Sequence, residues 1–510
     1  MRVTMKKWFP VLAAVLGIII GVLSVITFNR YQQSHRKLKA DIEWRKLELV
    51  LQTISENYVD SVDFDKVSKA AIDAALGELD PHSVYLPPVD LEQSEEDLAG
   101  EFDGIGIQFN VPNDTAIIIE VISGGPSEKV GLQSGDRIIK VDDVVIAGVN
   151  YPQDSMVRRM KGPSGTKVTV TVGRDGEEIP FEITRGKIPT HSVDCAFMVD
   201  DTTGYLRLSK FARTTYKEVA AASIELLSLG MTDLVLDIRD NSGGFFDQAI
   251  LMANLFLPKG APIVYIEGRC RDREDFNADG SGILQSVGLS VLINEGSASS
   301  SEIFAGAIQD NSRGRIVGRR SFGKGLVQEP VYFTDGSAVR LTVARFYTPS
   351  GRCLQKPYGD DYNYEIIRRY GEGEMMEADS MKIEKGGIIP DLFVPLDTTK
   401  ASSFYVDCNR KATPMRFASA FFDAHRSELG RIADYQELLR YLDSSSLEER
   451  FLAFAKAKDG LVPDNGWAGE RDYMMAQVRA LVGRYSQLGD NAFYHLYLPV
   501  DNVFLATIGQ

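Results

Sequence analysis

The chain has 510 residues, 44% of them hydrophobic and 25% charged, and a formal net charge of −15. That length exceeds what one hydrophobic core usually supports, so several domains are expected, and the composition excludes disordered, collagenous and disulfide-dense chains. The acidic balance, with no Lys/Arg-rich block, excludes recognition of a nucleic-acid backbone, which would lack its main electrostatic driving term.

In chain order, Arg2, Lys6 and Lys7 precede an uncharged run from Trp8 to Phe28. About twenty apolar residues suffice to cross a bilayer. A secretory signal has a shorter apolar core and a small-residue cleavage site, neither of which is evident, so residues 1–29 are expected to be a retained signal anchor, with a cleaved signal peptide as the alternative. The basic start would stay in the cytoplasm and the rest would be exported, although Arg30, Arg36, Lys37 and Lys39 run against that orientation. In the next segment, 30–86, Leu47, Val50, Leu51 and Ile54 recur at helical spacing, as do Val67, Ala71 and Leu76. They predict two amphipathic helices, broken at Tyr58 to Asp63 and ended by Asp80-Pro81-His82-Ser83.

Near Gly100 the texture becomes β-rich, with short apolar runs at Ile105 to Phe109, Ala116 to Ile122, Arg137 to Val141, Lys167 to Val172 and Ile179 to Thr184. One helix is expected among them, Pro152 to Met160. The loop Gly104-Ile105-Gly106-Ile107 frees backbone N–H groups just before a strand and can hold a peptide carboxylate. Alone, such a loop is more often just a turn. The run from Gly125 to Val141, Gly-Pro-Ser-Glu-Lys-Val-Gly-Leu-Gln-Ser-Gly-Asp-Arg-Ile-Ile-Lys-Val, closely resembles the signature of a PDZ domain. Residues 87–186 are therefore expected to be a PDZ domain, a module that takes up C-terminal tails as an added strand.

Beyond Gly186, buried strands alternate with helices in an α/β layout spanning 187–398. Strands are expected at Thr203 to Leu208, Asp233 to Ile238, Leu289 to Asn294 and Arg315 to Val317. Helices are expected at Thr215 to Leu229, Phe246 to Leu255 and Ser300 to Gln309. Pro357 to Lys385 is charged and poorly periodic and reads as a loop or insertion. Residues 399–510 read as a helical C-terminal extension without an interpretable motif. Cys195, Cys270, Cys353 and Cys408 form no metal or redox spacing and read as small buried apolar residues.

Ser299 stands where the strand ending at Asn294 turns into a helix, so its hydroxyl can be exposed beside unpaired N–H groups that favour negative charge on a substrate oxygen. The plainer reading is a capping box, Ser299-Ser300-Ser301-Glu302. A nucleophilic serine needs a base, and none of the five histidines, at 35, 82, 191, 425 and 495, lies in a recognisable nucleophile–base motif. Gly323-Lys324-Gly325-Leu326-Val327-Gln328 supplies a lysine instead. If extended, it puts 324, 326 and 328 on one face, with Gln328 able to accept from the Lys324 amine. Burial would favour the neutral amine that base catalysis requires.

Together these residues resemble the C-terminal processing (tail-specific) serine proteases, whose serine–lysine–glutamine motif matches Ser299, Lys324 and Gln328. Further matching pieces are Leu79 to Ser83, Leu236 to Gly244 and Tyr347 to Arg352. The resemblance implies an α/β multidomain fold, with the PDZ domain ahead of a crotonase/ClpP-like α/β protease core. It implies a serine endopeptidase without cofactor or metal, acting on proteins or peptides with exposed C-terminal tails. The Gly243-Gly244 turn and the Ser300 N–H would form the oxyanion hole, with the choice between the glycines open. A homo-oligomer is compatible with it. The expected place is the bacterial cell envelope, anchored in the inner membrane through residues 8–28, with the catalytic part in the periplasm or outside the cytoplasm. Two features depart from the family: Ser300 stands where alanine is usual, and Pro357 to Lys385 is inserted. The rival reading is an inactive PDZ peptide-binding scaffold. A third, a crotonase-like acyl-coenzyme enzyme, leaves the PDZ signature unexplained.

Overall fold

The computed structural model describes residues 42–509 apart from 112–113, 123, 360–361, 378–384 and 400–401. The apolar run Trp8 to Phe28 lies outside them. Among the described residues, no helix is long and apolar enough to cross a membrane. The chain divides into two units, ending and beginning at Glu78 and Leu79.

In the first unit residues 42–57 form helix α1 and Phe64–Gly77 form α2. Asp63 caps α2 by accepting from Lys66 N–H at 3.1 Å, satisfying one of the helix's orphan donors. Helix α1 leaves Trp44, Leu49 and Val50 exposed.

The second unit opens with β1 (Val84–Leu86) and α3 (Pro88–Ala99). A two-stranded ribbon follows, β2 (Glu101–Gly104) against β9 (Gly186–Pro189), in which the entry and exit of the next domain pair antiparallel. That domain is a sheet of order β3-β4-β5-β7-β8, built from Ile107–Asn110, Ala116–Val121, Arg137–Val141, Lys167–Arg174 and Glu177–Thr184. The short β6 (Val144–Val145) pairs with β5, and helices α4 (Pro126–Val130) and α5 (Gln153–Met160) complete it. The inward residues Val168, Val170 and Val172 of β7 alternate with polar ones, as a sheet with one buried face requires.

The central sheet runs β10-β11-β12-β15-β16-β19, from Val193–Met198, Thr203–Leu208, Asp233–Asp237, Gly288–Ile293, Arg315–Gly318 and Leu392–Phe393. Only β10 is antiparallel to its neighbour. The parallel strands are apolar almost throughout because both faces are covered. Helices α6 (Thr215–Ser228), α7 (Phe246–Asn254) and α8 (Ser300–Asp310) are the covering elements, their apolar residues joined with the strands in one core. A second, antiparallel sheet runs β1-β18-β13-β14, with β17 also on β18, from β13 (Pro262–Gly268), β14 (Arg271–Asn277), β17 (Leu326–Tyr332) and β18 (Ala338–Tyr347). Strands β13, β14 and β18 escape sequence reading; β14 is largely charged and exposed.

Two expectations are corrected. The stretch Gly323 to Gln328 is not one strand: β17 begins only at Leu326, because the amides of Gly323, Lys324 and Gly325 bond side chains rather than a ladder. The segment Pro357 to Lys385 is not only loop. It holds a 3₁₀ turn, Tyr362–Tyr364, and helix α9 (Glu365–Gly371), whose charged residues Glu365 and Arg369 are buried. Cys195 and Cys408 are buried, as read from sequence, whereas Cys270 and Cys353 are exposed; all four are free.

The C-terminal extension comprises α10 (Ser403–Arg410), α11 (Thr413–Ala424), α12 (Arg426–Leu429), α13 (Tyr435–Ser444), α14 (Leu447–Asp459), α15 (Trp467–Gly483), α16 (Asp490–Tyr497) and α17 (Asn502–Ile508). Most of it packs around its own core of Phe417, Phe422, Phe451, Met474 and Val478. It also grips the β-rich domain. The Arg426 guanidinium donates to the carbonyls of Ser134 and Gly135 at 3.0 and 2.6 Å, and Arg137 pairs with Asp423.

Candidate active site

Three loops meet at the C-terminal ends of the parallel strands β12, β15 and β16, the edge at which open α/β sheets place ligands. The turn after β15 is stitched to the loop after β12. Ser297 Oγ donates to the Ile238 carbonyl at 2.8 Å, and the Asn294 side-chain amide donates to Asp240 Oδ1 at 2.8 Å. Ala298 N–H and the Ser301 hydroxyl both donate to the Asn241 carbonyl, at 3.0 and 2.8 Å. So held, Ser299 sits at φ 55°, ψ −113°. That region costs a residue with a side chain about 1–3 kcal/mol and persists only where the surroundings over-determine it.

Gly243 lies against this serine. At its φ of +101°, a Cβ would stand 2.9 Å from both Ser299 Cβ and Ser300 N. Gly244, at φ +149°, presses on Phe211, whose carbonyl oxygen a Cβ would approach to 2.1 Å. Both positions therefore demand glycine. Gly243 N–H donates to Asn241 Oδ1 at 2.9 Å. Among the described residues, no acceptor takes the amides of Gly244 or Ser300. The Ser300 hydroxyl is shared between the carbonyls of Gly244 and Phe245, at 3.0 and 3.2 Å, and ties the glycine turn to the start of α8.

The capping box is formed, with Glu302 accepting from Ser299 N–H at 2.9 Å, but the carboxylate does more than cap. The same oxygen accepts from Lys324 N–H at 2.8 Å. Its other oxygen takes Gly323 N–H at 2.7 Å and the Ser321 hydroxyl at 2.5 Å. Glu302 thus joins the turn after β15 to the loop after β16. It is fully buried, and burial holds its carboxyl above the ordinary carboxylate range while the four donors pull the other way.

Burial also lowers the Lys324 pKa, helped by the positive charge of Arg340; Glu302 and Asp80 oppose the shift. Gln328 Nε2 donates to the His82 carbonyl at 2.6 Å, which leaves its Oε1 as an acceptor. No hydrogen bond joins the Ser299 hydroxyl, the Lys324 amine and the Gln328 side chain to one another among the described residues; the shared Glu302 carboxylate joins the backbone amides of Ser299 and Lys324. Such bonds often tighten only in the substrate complex.

His82 belongs to the same neighbourhood, although its sequence gives no nucleophile–base spacing. Its pKa is pushed down to about 4 by burial first and then by Lys324 and Lys356, against Asp80. Asp80 is the knot of that corner, accepting from the amides of His82 and Ser83 at 2.8 and 2.9 Å. Sequence reasoning also missed Glu302's second role, Arg340 and Tyr362, because each acts across a long sequence separation that no local motif records.

The model of peptidase family S41 matches residues 202–366, and that of the PDZ domain matches 104–184. A probable CtpA-like serine protease of Staphylococcus epidermidis is 33% identical over 360 residues, covering 69% of this chain and 72% of that protein. The chain belongs to the PDZ-containing C-terminal processing proteases. A probable CtpA-like serine protease of Staphylococcus aureus gives 34% over 364 residues, 69% of this chain and 71% of its own. A photosystem II D1 C-terminal processing protease is similar in structure, with 29% identity, a TM-score of 0.37, and coverage of 69% of this chain and 87% of that one. The assignment rests on the sequence relatives.

In this C-terminal processing protease, Gly104 closes β2, Ile105 is buried and Ile107 opens β3. The Ile105 carbonyl accepts from Ser127 N–H and Oγ, and the Gly106 carbonyl from Ile122 N–H at 3.1 Å. These bonds fix the loop's carbonyls on the PDZ body. Among the described residues, strand β3 is the sheet's edge, paired with β4 alone.

Proposed function

We propose that this serine protease is an endopeptidase that captures exposed apolar C-terminal tails and cleaves them with Ser299 and Lys324. The neutral Lys324 amine takes the Ser299 hydroxyl proton as Oγ attacks the scissile carbonyl, and the resulting ammonium returns that proton to the leaving amine. Water then enters, loses a proton to Lys324 and attacks the acyl carbon; as the ester bond to Oγ breaks, the Lys324 ammonium returns that proton to Oγ, freeing the serine and the neutral amine. Gln328, held through Nε2 by His82, orients the lysine with Oε1. The unengaged amides of Gly244 and Ser300 hold the oxyanion, and Gly243, whose amide is taken by Asn241, shapes the turn.

The observation that carries this reading is the buried Glu302 carboxylate, which holds the amides of Ser299 and Lys324 on one oxygen. An inactive PDZ scaffold has no chemical need for that joint, for a strained serine or for a desolvated lysine, and an acyl-coenzyme enzyme has no need of the PDZ domain. The loop Gly104 to Ile107 and the open edge of β3 are the tail-binding site. The run Trp8 to Phe28 anchors the chain in the membrane with residues 45–510 outside the cytoplasm. The apolar residues that α1 exposes suit pairing with a second copy. Hydrolysis of a tail peptide by the wild-type chain and its loss in Ser299→Ala test the reading; turnover by the variant equal to wild type refutes it.

A further inference from the structure

The inserted segment is docked by buried charge onto the loop that carries Lys324. Arg320, fully buried, pairs with Glu374 at 2.5 Å and with Glu365 at 3.3 Å, and donates to the carbonyls of Lys385 and Gly386 at 2.9 Å. Arg369 of α9 pairs with Glu374 at 3.0 Å and donates to the carbonyls of Ser321 and Arg320, at 3.1 and 2.6 Å. Lys356 pairs with Glu365. Buried charges are tolerated only when paired and hydrogen-bonded throughout, and such a network admits few alternative arrangements.

This docking aims one side chain of the insertion at the catalytic corner. The Lys356 ammonium sits over the rings of Phe322 and Tyr362, 3.9 and 4.0 Å from their centroids, and fixes the tyrosine. The Tyr362 hydroxyl is hydrogen-bonded to His82 Nε2, and the two rings meet edge to face at 5.3 Å. Burial raises the Tyr362 hydroxyl to about 12 and lowers His82 to about 4, so the tyrosine keeps its proton and donates to a neutral imidazole. The backbone carbonyl of that same histidine holds Gln328 at 2.6 Å.

We propose that Tyr362 is a positioning residue, supplied by the insertion, that acts on Lys324 through His82 and Gln328. The inference rests on the serine–lysine reading above. The tyrosine contacts no reacting atom; its hydroxyl sets the His82 ring, the ring sets the carbonyl behind it, and the carbonyl sets the glutamine to which the serine–lysine reading gives the orienting role. The insertion is then part of the catalytic apparatus and not merely the rim of the cleft.

The test is a double-mutant cycle on the full chain, with one tail peptide and with kcat and KM measured separately. Tyr362→Phe keeps the ring over Lys356 and loses only the hydroxyl. It should lower kcat on the order of tenfold, the scale of one lost hydrogen bond in the transition state, and leave KM unchanged. In a His82→Phe background the same change should add nothing. Wild-type kcat for Tyr362→Phe overturns the proposal, and so does an equal loss in the His82→Phe background. Ser299→Ala, run alongside, separates the two levels: if it stays active, the dyad reading fails first.

Discussion

A carboxylate that receives four donors has no place for an amide nitrogen. In Glu302→Gln, one of the two acceptor oxygens becomes an NH₂ that faces two donors, either the amides of Ser299 and Lys324 or those of Gly323 and Ser321 Oγ. Leaving a buried pair unsatisfied costs about 1–3 kcal/mol per group. The variant should lose peptide turnover and unfold at a lower temperature, measured by circular dichroism on heating. Lys324 gives a second expectation. Its pKa is lowered, and the competent form is the neutral amine, so turnover should rise as pH climbs through that lowered value. Lys324→Arg should fold and stay inactive at every pH, because guanidinium does not release its proton in a protein. A plot of turnover against pH for both proteins checks this; near wild-type rates for the arginine variant would point to another base. The capping box from Ser299 to Glu302 was legible in the sequence because its spacing is local. His82 was in plain view within Asp80-Pro81-His82-Ser83, but its hydrogen-bond partner Tyr362 lies 280 residues away.

At the scale of elements, strands β11, β12, β15 and β16 and helices α6, α7 and α8 were read from the sequence nearly to their ends, whereas α3, α4 and the short parallel strand β19 were not. Strand β11 was expected and found at Thr203 to Leu208, and α6 was expected at Thr215 to Leu229 and runs to Ser228. Burial on both faces makes such strands continuous apolar runs that composition alone betrays. Helix α9 was not legible, since Glu365-Ile366-Ile367-Arg368-Arg369 buries Glu365 and Arg369 and exposes Ile366 and Ile367, the reverse of an amphipathic surface helix. The PDZ loop supplies the element-scale prediction. In the Ser299→Ala chain, which spares the ligand, a peptide with a free apolar C-terminus should bind at least tenfold more tightly than its amidated form, about 1.4 kcal/mol for the lost carboxylate. Titration calorimetry measures the difference, and equal affinities would remove the loop from the binding site.

At the scale of the whole molecule, the uncharged run from Trp8 to Phe28 carries an expectation about place. The protein should sediment with membranes, and added protease should digest residues 45–510 from the outer face only; digestion from the cytoplasmic face alone reverses the orientation. The C-terminal helices hold the PDZ domain through Arg426 and the Arg137–Asp423 pair, so that domain is braced from both its ribbon and its far side. Those braces give the molecule levers, and the joint at Glu302 dictates what the levers can reach. The backbones of Ser299 and Lys324 hang from one oxygen atom, so they ride together like two jaws cast in a single piece. No movement elsewhere in the molecule can spread them without breaking hydrogen bonds to a fully buried carboxyl group. On the serine–lysine reading, control of this protease would fall to what pivots on the casting: the torsions of Lys324, the lean of Gln328, and the doorway open to a substrate.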